Sequence, residues 1–536
     1  MTNDEQGMRG ARILVCDRIA PQGIDWLQKE PEIDVDVRPG LSADELRAAI
    51  GQYDGLIVRS RTKITAETLA GTTRLKVIGR AGIGVDNIDV AAATSAGVVV
   101  MNTPEGNTNT AAEHTLALLL ALARNVSQGD ASLKRGEWSP ERYGGVELSG
   151  KVLGIIGLGR IGTLVAKKAQ GLGMLTIAYD PFISREQAQN IGVEIFELAE
   201  VVGRADFLTV HTPKTRATTH LIGPTAFALM KPGVRLVNCA RGGIVDETAL
   251  YEAISSGKVA GAALDVFEQE PPGDLPLIKH SAIVCTPHLG ASTVEAQERV
   301  AVDIAQQLID YFKFGSIRNA VNLYALEGEM VRKVEPYMNL AEKLGSFIVQ
   351  MVEGGLREVA VKYSGEAAVL EIKPISAALL KGLLQKSLPE RVNLVNALHL
   401  ARERGITVSE TISSEVGDYT SLITVELVTD KARGEVAGTL FGRQEPRIVR
   451  VDAYPMEAVP SGHMLVFSNQ DTPGVIGTIG TILGSNHINI AGMQLGRITP
   501  HGMAVAVVNV DSTIPHPILE QIRALPNILT ANLVEL

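Results

Sequence analysis

The sequence predicts an α/β protein in which one doubly wound unit is inserted into another, followed by an α+β unit and a small βαββαβ sandwich. Three observations predict it. From Arg12 to Thr286, short apolar runs alternate with amphipathic stretches, the pattern of parallel strands covered by helices on both faces. A stretch without Gly or Pro, Val294–Phe312, then leads out of the second unit and is expected to pack back on the first. Beyond Asn319 helix-like and β-branched segments mix, and the tail runs strand, helix, strand, strand, helix, strand. A length of 536 residues supports several units, because single cores rarely grow beyond about 250 residues.

In the first unit, Ile13–Cys16, Gly55–Val58, Val77–Gly79 and Val98–Met101 read as buried strands, and Ser42 caps a helix over Ser42–Ile50. A long helix is expected over Asn109–Ser127, with Leu116, Leu119, Leu120 and Ala123 on its packed face. The second unit starts at Lys151, with strands at Val152–Ile156, Leu175–Tyr179, Phe207–His211, Arg235–Cys239, Gly261–Asp265 and Ile283–Thr286. The expected division is 1–103 with 294–319, then 104–293, 320–458 and 463–536. The third unit carries the β-branched run Ser421–Val428, and Val459-Pro460-Ser461-Gly462 reads as the linker to the fourth. There the strands are Met464–Phe467, Ile488–Leu495, Met503–Val510 and Ile528–Val534, and the helices Val475–Ser485 and Pro517–Leu525.

Composition narrows the function. Fifty Lys and Arg against 60 Asp and Glu give a net charge of −10, unsuited to coating DNA or anionic membranes. Aromatics at 4% argue against a stacking platform for single strands. Cys16, Cys239 and Cys285 are scattered, which excludes a disulfide scaffold or Cys-rich metal site and fits a reducing compartment. The longest apolar run, Leu116–Ala123, is far short of the ~20 residues that span a bilayer. The N-terminal residues lack the apolar core of a signal peptide. A soluble, cytoplasmic protein is expected, with no metal and with neither nucleic acid nor membrane as partner.

The strand Val152–Ile156 runs into Gly157-Leu158-Gly159-Arg160-Ile161-Gly162, then a helix, then a strand ending at Asp180. This is the setting in which a glycine-rich turn binds a dinucleotide. Gly157 permits the tight turn, Gly159 admits the pyrophosphate to backbone N–H groups at a helix N-terminus, and Gly162 lets helix and strand touch. Asp180 can accept both ribose hydroxyls and would repel a 2′-phosphate, so NAD is expected rather than NADP.

Four further runs carry a resemblance. Gly154-Ile-Ile-Gly-Leu-Gly-Arg-Ile-Gly162, Asn238-Cys-Ala-Arg-Gly-Gly-Ile-Val-Asp-Glu247, Ala263-Leu-Asp-Val-Phe-Glu-Gln-Glu-Pro-Pro272 and Thr286-Pro-His-Leu-Gly-Ala-Ser-Thr293 resemble the D-2-hydroxyacid dehydrogenase family over about residues 10–320. Leu56-Ile-Val-Arg-Ser-Arg-Thr-Lys63 and Gly79-Arg-Ala-Gly-Ile-Gly-Val-Asp-Asn87 resemble the branch of that family acting on 3-phosphoglycerate, and the C-terminal extension resembles its longer form. The resemblance implies a Rossmann-type NAD domain inserted in a flavodoxin-like substrate domain, then an intervening domain and an ACT domain. It implies NAD-dependent oxidation of 3-phosphoglycerate to 3-phosphohydroxypyruvate at the entry to serine synthesis, by a homodimer or homotetramer.

Site roles follow by the same resemblance. Alcohol oxidation needs a base for the hydroxyl proton, and histidine suits it. Of ten histidines, His288 follows a strand, where ligands bind in such sheets. Glu270 is its expected partner, with neighbouring Glu268 the residue it could be confused with. Arg241, an always-charged planar fork, is expected on the substrate carboxylate. Asp265 matches the nicotinamide contact, and Arg160, Ile161, Thr212, Cys239, Ala240, Gly290 and Ala291 are expected along the cofactor. Cys239 reads as a small buried residue, not a nucleophile. Arg59, Ser60 and Asn102 are expected on the substrate, while Arg61 and Lys63 have no assigned role. Lys134-Arg135, with Trp138, lies where such enzymes reach across a dimer.

In the tail, Asn469-Gln-Asp471-Thr-Pro-Gly474 and Asn489 are similar to ACT domains, which bind amino acids at dimer interfaces. Asp471 and Asn489 are expected close together, holding a ligand's charged groups across a two-fold axis, with L-serine the candidate effector. Asn469 stands where some members have an aromatic or histidine donor. Arg443, Arg447 and Arg450 read equally as an anion site or a solvated strand edge. Two rival functions remain at this level: a glyoxylate or hydroxypyruvate reductase of the same family, and a non-catalytic NAD-sensing scaffold.

Overall fold

The computed structural model describes residues 10–323, 329–386, 388, 392–415 and 418–536. Residues 1–9, on which the signal-peptide reading partly rests, lie outside them. Strands β1 (Ala11–Val15), β2 (Ile33–Val37), β3 (Gly55–Val58), β4 (Val77–Arg80) and β5 (Val99–Asn102) form a parallel sheet in the order β2-β1-β3-β4-β5. This is the flavodoxin-like order. The helix Val294–Phe314 returns to cover it, packing Val300, Ile304 and Leu308 against Ile13, Ile57 and Val77. Past that helix, Ala320 bridges Met101 and the Val321 N–H donates to the Val100 carbonyl at 2.7 Å, so the departing chain lies along the β5 edge.

The inserted unit holds β6 (Val152–Ile156), β7 (Leu175–Tyr179), β8 (Glu194–Ile195), β9 (Phe207–Val210), β10 (Val234–Asn238), β11 (Val259–Leu264) and β12 (Ile283–Cys285). All pair in parallel, in the order β12-β11-β10-β9-β6-β7-β8. The chain winds one way from β6 and the other way from β9, so a crevice opens above the ends of these two strands, where doubly wound sheets bind ligands.

Six strands follow: β13 (Leu356–Gly365), β14 (Thr407–Ser413), β15 (Ser421–Thr429), β16 (Arg433–Phe441), β17 (Glu445–Val451) and β18 (Tyr454–Ala458). Their order is β14-β13-β15-β16-β17-β18, with helices Glu329–Met351 and Ile372–Gln385 sharing the core. The tail forms β19 (His463–Gln470), β20 (Ile490–Arg497), β21 (Met503–Val510) and β22 (Ile528–Glu535), antiparallel in the order β20-β21-β19-β22. Its helices Val475–Ser485 and His516–Arg523 cover one face. The other face shares a core with the third unit, where Met464, Val466, Val505 and Val534 meet Leu344, Phe347 and Ile348.

Three features depart from the sequence reading. Strand β2, Ile-Asp-Val-Asp-Val, was not foreseen: it is an edge strand whose alternating aspartates break the apolar run. The two-residue edge strand β8 is likewise new. The expected helix Asn109–Ser127 is two helices, Thr108–Ala123 and Val126–Lys134, parted at Asn125. Asn125 takes a left-handed φ of 52°, which asparagine tolerates better than most residues, and its side chain donates to the Gly144 carbonyl at 3.1 Å. Among the described residues, no helix is long and apolar enough to cross a membrane, and no cluster of His, Cys, Asp and Glu could hold a metal.

Candidate active site

Parallel strands end at one edge, so residues far apart in sequence converge there. Glu270 follows β11 and His288 follows β12, and His288 Nδ1 lies 2.7 Å from Glu270 Oε2. The Phe267 N–H donates to Glu270 Oε1 at 3.1 Å, fixing the carboxylate plane. Burial pushes the Glu270 carboxyl up, but the His288 contact and the Phe267 N–H outweigh it and hold Glu270 below its usual range. Because Nδ1–H donates to that carboxylate, neutral His288 carries its lone pair on Nε2. Glu268 turns elsewhere, bonding His220 at 3.0 Å. His211 cannot share the proton chemistry, since complete burial pushes it down to about 3.

The turn carrying His288 is held by Asp265, which is fully buried. Its carbonyl accepts the His288 N–H at 2.9 Å. Its carboxylate accepts Leu289 N–H at 2.7 Å, Gly290 N–H at 2.8 Å and the Thr286 hydroxyl at 2.6 Å. Asp265 therefore anchors the turn; this tie was not visible in sequence.

Three guanidinium groups meet across the cleft. Arg241, after β10, donates Nε–H to Asp86 of the first unit at 2.6 Å. Arg59, after β3, is set by its N–H to buried Asp17 at 2.6 Å and donates Nη1–H to the Arg18 carbonyl at 3.1 Å. The third, Arg80 at the end of β4, was missed in sequence, where it is one arginine inside a quoted motif. Burial pushes Arg80 down to about 10, and the charges of Arg241 and Arg59 push the same way. Among the described residues, its Nε is buried without a hydrogen-bond partner. The loop between them admits both side chains only because it lacks side chains: a Cβ on Gly82 would lie 1.6 Å from Arg80 Nη1, and one on Gly84 1.7 Å from Arg241 Nη2. Ser60 is exposed nearby, as are Arg61 and Lys63. Asn102 directs its amide to the Ile83 carbonyl at 2.6 Å, bracing the same loop.

The crevice above β6 and β9 fits NAD. Gly157 has φ 93°, and a Cβ there would meet the His211 carbonyl at 2.7 Å. Space above Gly159 is open, and Arg160 begins the helix Arg160–Gly171, with Ile161 half-buried in its first turn. A Cβ on Gly162 would meet the Gly157 carbonyl at 2.1 Å. Asp180 is oriented by the N–H groups of Leu158 and Phe182, at 2.8 and 2.9 Å, and keeps acceptor capacity for ribose hydroxyls. Thr212 Oγ1 is buried beside this turn with no hydrogen-bond partner among the described residues. Gly290 is buried and Ala240 and Ala291 are half-buried, and burial pushes the Cys239 thiol up to about 12, too high for a nucleophile.

The C-terminal residues are not brought together. Gln470 is opposite Met503, and Arg497 opposite Ala504, so Asp471 sits at one end of the sheet. Ile490 is opposite Val510, so Asn489 sits at the other. The eight residues of β20 put about 25 Å between the two, because helix Val475–Ser485 carries the chain the length of the sheet. Asp471 accepts Arg497 Nη1–H at 2.9 Å, which holds its carboxyl low, and Asn489 donates to Asp511 at 2.7 Å. Asn469 Oδ1 and Thr472 Oγ1 are buried with no hydrogen-bond partners among the described residues. Arg443, Arg447 and Arg450 each pair with a carboxylate, Glu366, Glu445 and Glu435, which favours a solvated strand edge over an anion site. Lys134 and Arg135 pair locally with Asp130 and Glu137, while Trp138 is 82% exposed.

Known proteins are similar to this chain over nearly its full length. The NAD-binding domain of D-isomer specific 2-hydroxyacid dehydrogenases matches residues 116–290, the D-3-phosphoglycerate dehydrogenase intervening domain 333–452, and the ACT domain 463–527. The chain is 45% identical over 528 residues to a D-3-phosphoglycerate dehydrogenase of Archaeoglobus fulgidus, covering 98% of this chain and 100% of that one. It is 42% identical over 526 residues to one of Bacillus subtilis, covering 98% and 99%. Among solved structures, a glyoxylate reductase from Paecilomyes thermophila superposes with TM-score 0.54 at 28% identity, over 58% of this chain and 98% of that one. An NAD-dependent formate dehydrogenase from Staphylococcus aureus in complex with NAD gives 0.54 at 28%, over 59% and 100%.

Proposed function

Because the chain belongs to the D-3-phosphoglycerate dehydrogenase family, we infer that this cleft oxidises 3-phospho-D-glycerate to 3-phosphohydroxypyruvate with NAD, the first step of L-serine biosynthesis. The observation that carries the reading is the convergence of Arg59, Arg80 and Arg241, with Arg80 short of a partner. A substrate with an anion at each end answers that field. Arg241 exchanges exposed Asp86 for the substrate carboxylate: a surface ion pair is worth about 0.2–1 kcal/mol, and a charge-assisted hydrogen bond in the cleft about 1.5–3. Arg59 and Ser60 receive the phosphate, and Arg80 supplies charge behind them. Asn102 contacts the substrate from the end of β5.

His288 Nε2 takes the hydroxyl proton while the hydrogen on the same carbon leaves with its electron pair, so the C–O bond becomes a carbonyl. Glu270 holds the Nδ1–H and stabilises the imidazolium that results. NAD, when bound, supplies the hydride acceptor. Gly157, Gly159 and Gly162 would hold its diphosphate at the helix N-terminus, Asp180 its ribose, and Thr212, Cys239, Ala240, Gly290 and Ala291 the walls of its site. We place the enzyme in the cytoplasm, in keeping with three free cysteines. NADH formation against 3-phosphoglycerate, glycerate, lactate and glyoxylate tests the reading: turnover confined to the phosphorylated acid supports it, and preference for an unphosphorylated one overturns it.

A second reading concerns the tail. We infer that Asp471, with the unpaired Asn469 Oδ1 and Thr472 Oγ1 beside it, receives the ammonium of a free amino acid, L-serine the candidate. Strand β20 is a sheet edge, and pairing two copies antiparallel about a two-fold sets the Asp471 end of one beside the Asn489 end of the other. A homodimer or homotetramer is therefore proposed, with exposed Trp138 in a second contact. Calorimetry of the full chain with L-serine tests it; no heat of binding at millimolar serine would reduce the tail to a dimerisation module.

A further inference from the structure

Asp265 has a partner that lies outside every motif pointing to the cleft. His114, on the helix Thr108–Ala123, sets Nε2 3.2 Å from Asp265 Oδ1 and 3.1 Å from Thr286 Oγ1. The proton arrangement follows from the donors. Burial pushes the Asp265 carboxyl up, yet hydrogen bonds from His114, Thr286 and the Leu289 N–H outweigh it and hold Asp265 low, so it is a carboxylate. The one proton of the Thr286 hydroxyl already goes to Asp265. Nε2 of His114 must then carry a proton of its own, directed at this pair of oxygens. Among the described residues, His114 is the one side chain able to carry positive charge that pairs with Asp265.

A fully buried carboxylate with no lysine or arginine beside it is costly unless donors surround it. This one grips the chain on both sides of His288: the Asp265 carbonyl takes the His288 N–H, and the carboxylate takes the next two N–H groups. His288 itself sits at φ 56°, a left-handed conformation that is strained for a non-glycine residue and persists only where neighbours hold it.

We propose that His114 is a positioning residue: through Asp265 and Thr286 it fixes the turn that aims His288 Nε2 at the substrate hydroxyl. This rests on His288 being the base, a point that His288→Asn tests separately. The plain alternative is a core histidine that satisfies its neighbours and has no bearing on turnover.

His114→Leu removes the donor at similar bulk, while His114→Gln keeps an N–H near the position of Nε2. With the full chain, kcat and KM for 3-phosphoglycerate, NADH affinity by fluorescence, and melting temperature are measured for both variants. The expected result is a fall in kcat of about 10-fold for His114→Leu, since sub-ångström displacement of a reacting group is costly. KM and NADH affinity stay within about threefold, and His114→Gln recovers most of the loss. Thr286→Val, which cuts the same network from the loop after β12 should the first variant fold poorly, falls similarly, and Thr286→Val with His114→Leu is less than additive. Wild-type kcat in His114→Leu would overturn the proposal, as would equal impairment of the Gln and Leu variants.

Discussion

The candidate cleft and the C-terminal loop each pair a carboxylate with a basic side chain at the carboxyl ends of like-directed strands, but the second loop leaves its other expected partner, Asn489, at the far end of the sheet. Glu270 and His288 follow neighbouring strands β11 and β12 of a parallel sheet, whose ends all lie at one edge, and they meet at 2.7 Å within one chain. Asp471 follows β19 and Asn489 precedes β20, two strands that run the same way because both are antiparallel to β21, so the helix between them leaves the pair at opposite ends. Arg497, not foreseen, is the residue that reaches Asp471. A parallel sheet thus assembles a site from distant sequence without a second subunit. In the small sandwich the strand–helix–strand crossover separates residues that are close in sequence, and the proposed pairing of two copies would reunite them.

That contrast can be broken in four ways. His288→Asn should lose about 10²–10⁴-fold in kcat, measured by NADH absorbance, while NADH affinity by fluorescence stays within a few-fold. Loss of both together would mean that the cleft had collapsed. Asp180→Ala removes one or two charge-assisted hydrogen bonds, so the NAD KM should rise about 10-fold and discrimination against NADP should relax in steady-state kinetics. The third concerns acid. Asp265 and Glu270 are both depressed when folded, so their contribution to stability is present above the unfolded carboxyl range near pH ~4 and is lost as pH falls through the folded values. Melting curves should therefore be flat from pH 7 to 5 and drop below ~4, with a shallower drop in Asp265→Asn. Half-buried Asp471, held low chiefly by its one ion pair with exposed Arg497, should leave that acid limb nearly unchanged when replaced by alanine. The same Asp471→Ala change should abolish L-serine inhibition, read as rate against serine concentration.

What was legible in sequence follows from the same physics. Strands β3 and β6 are buried on both faces, so their apolar runs give their ends as observed. The glycine turn and Asp180 register because each answers a backbone requirement. Strand β2 was hidden because its aspartates face outward from an edge, and the break at Asn125 because one asparagine inside an apolar helix leaves no periodic trace. Arg80 and His114 were hidden for another reason. Each is unremarkable in its own element and acquires meaning only when folding sets it against Arg241 or Asp265. Separation of Asp471 from Asn489 follows from strand direction: the helix between β19 and β20 returns the chain to the starting end of the sheet, which nearness of the two residues in sequence conceals.

Discrimination between phosphorylated and unphosphorylated substrate tests the cleft most directly. The ratio of kcat/KM for 3-phosphoglycerate to that for glycerate is measured in the wild type and in Arg59→Ala. Loss of one charge-assisted contact to the phosphate should lower kcat/KM for 3-phosphoglycerate about 10–100-fold and leave glycerate nearly unchanged, so the ratio collapses. An unchanged ratio, with both substrates weakened alike, would contradict the assignment and make Arg59 a carboxylate-binding or structural residue.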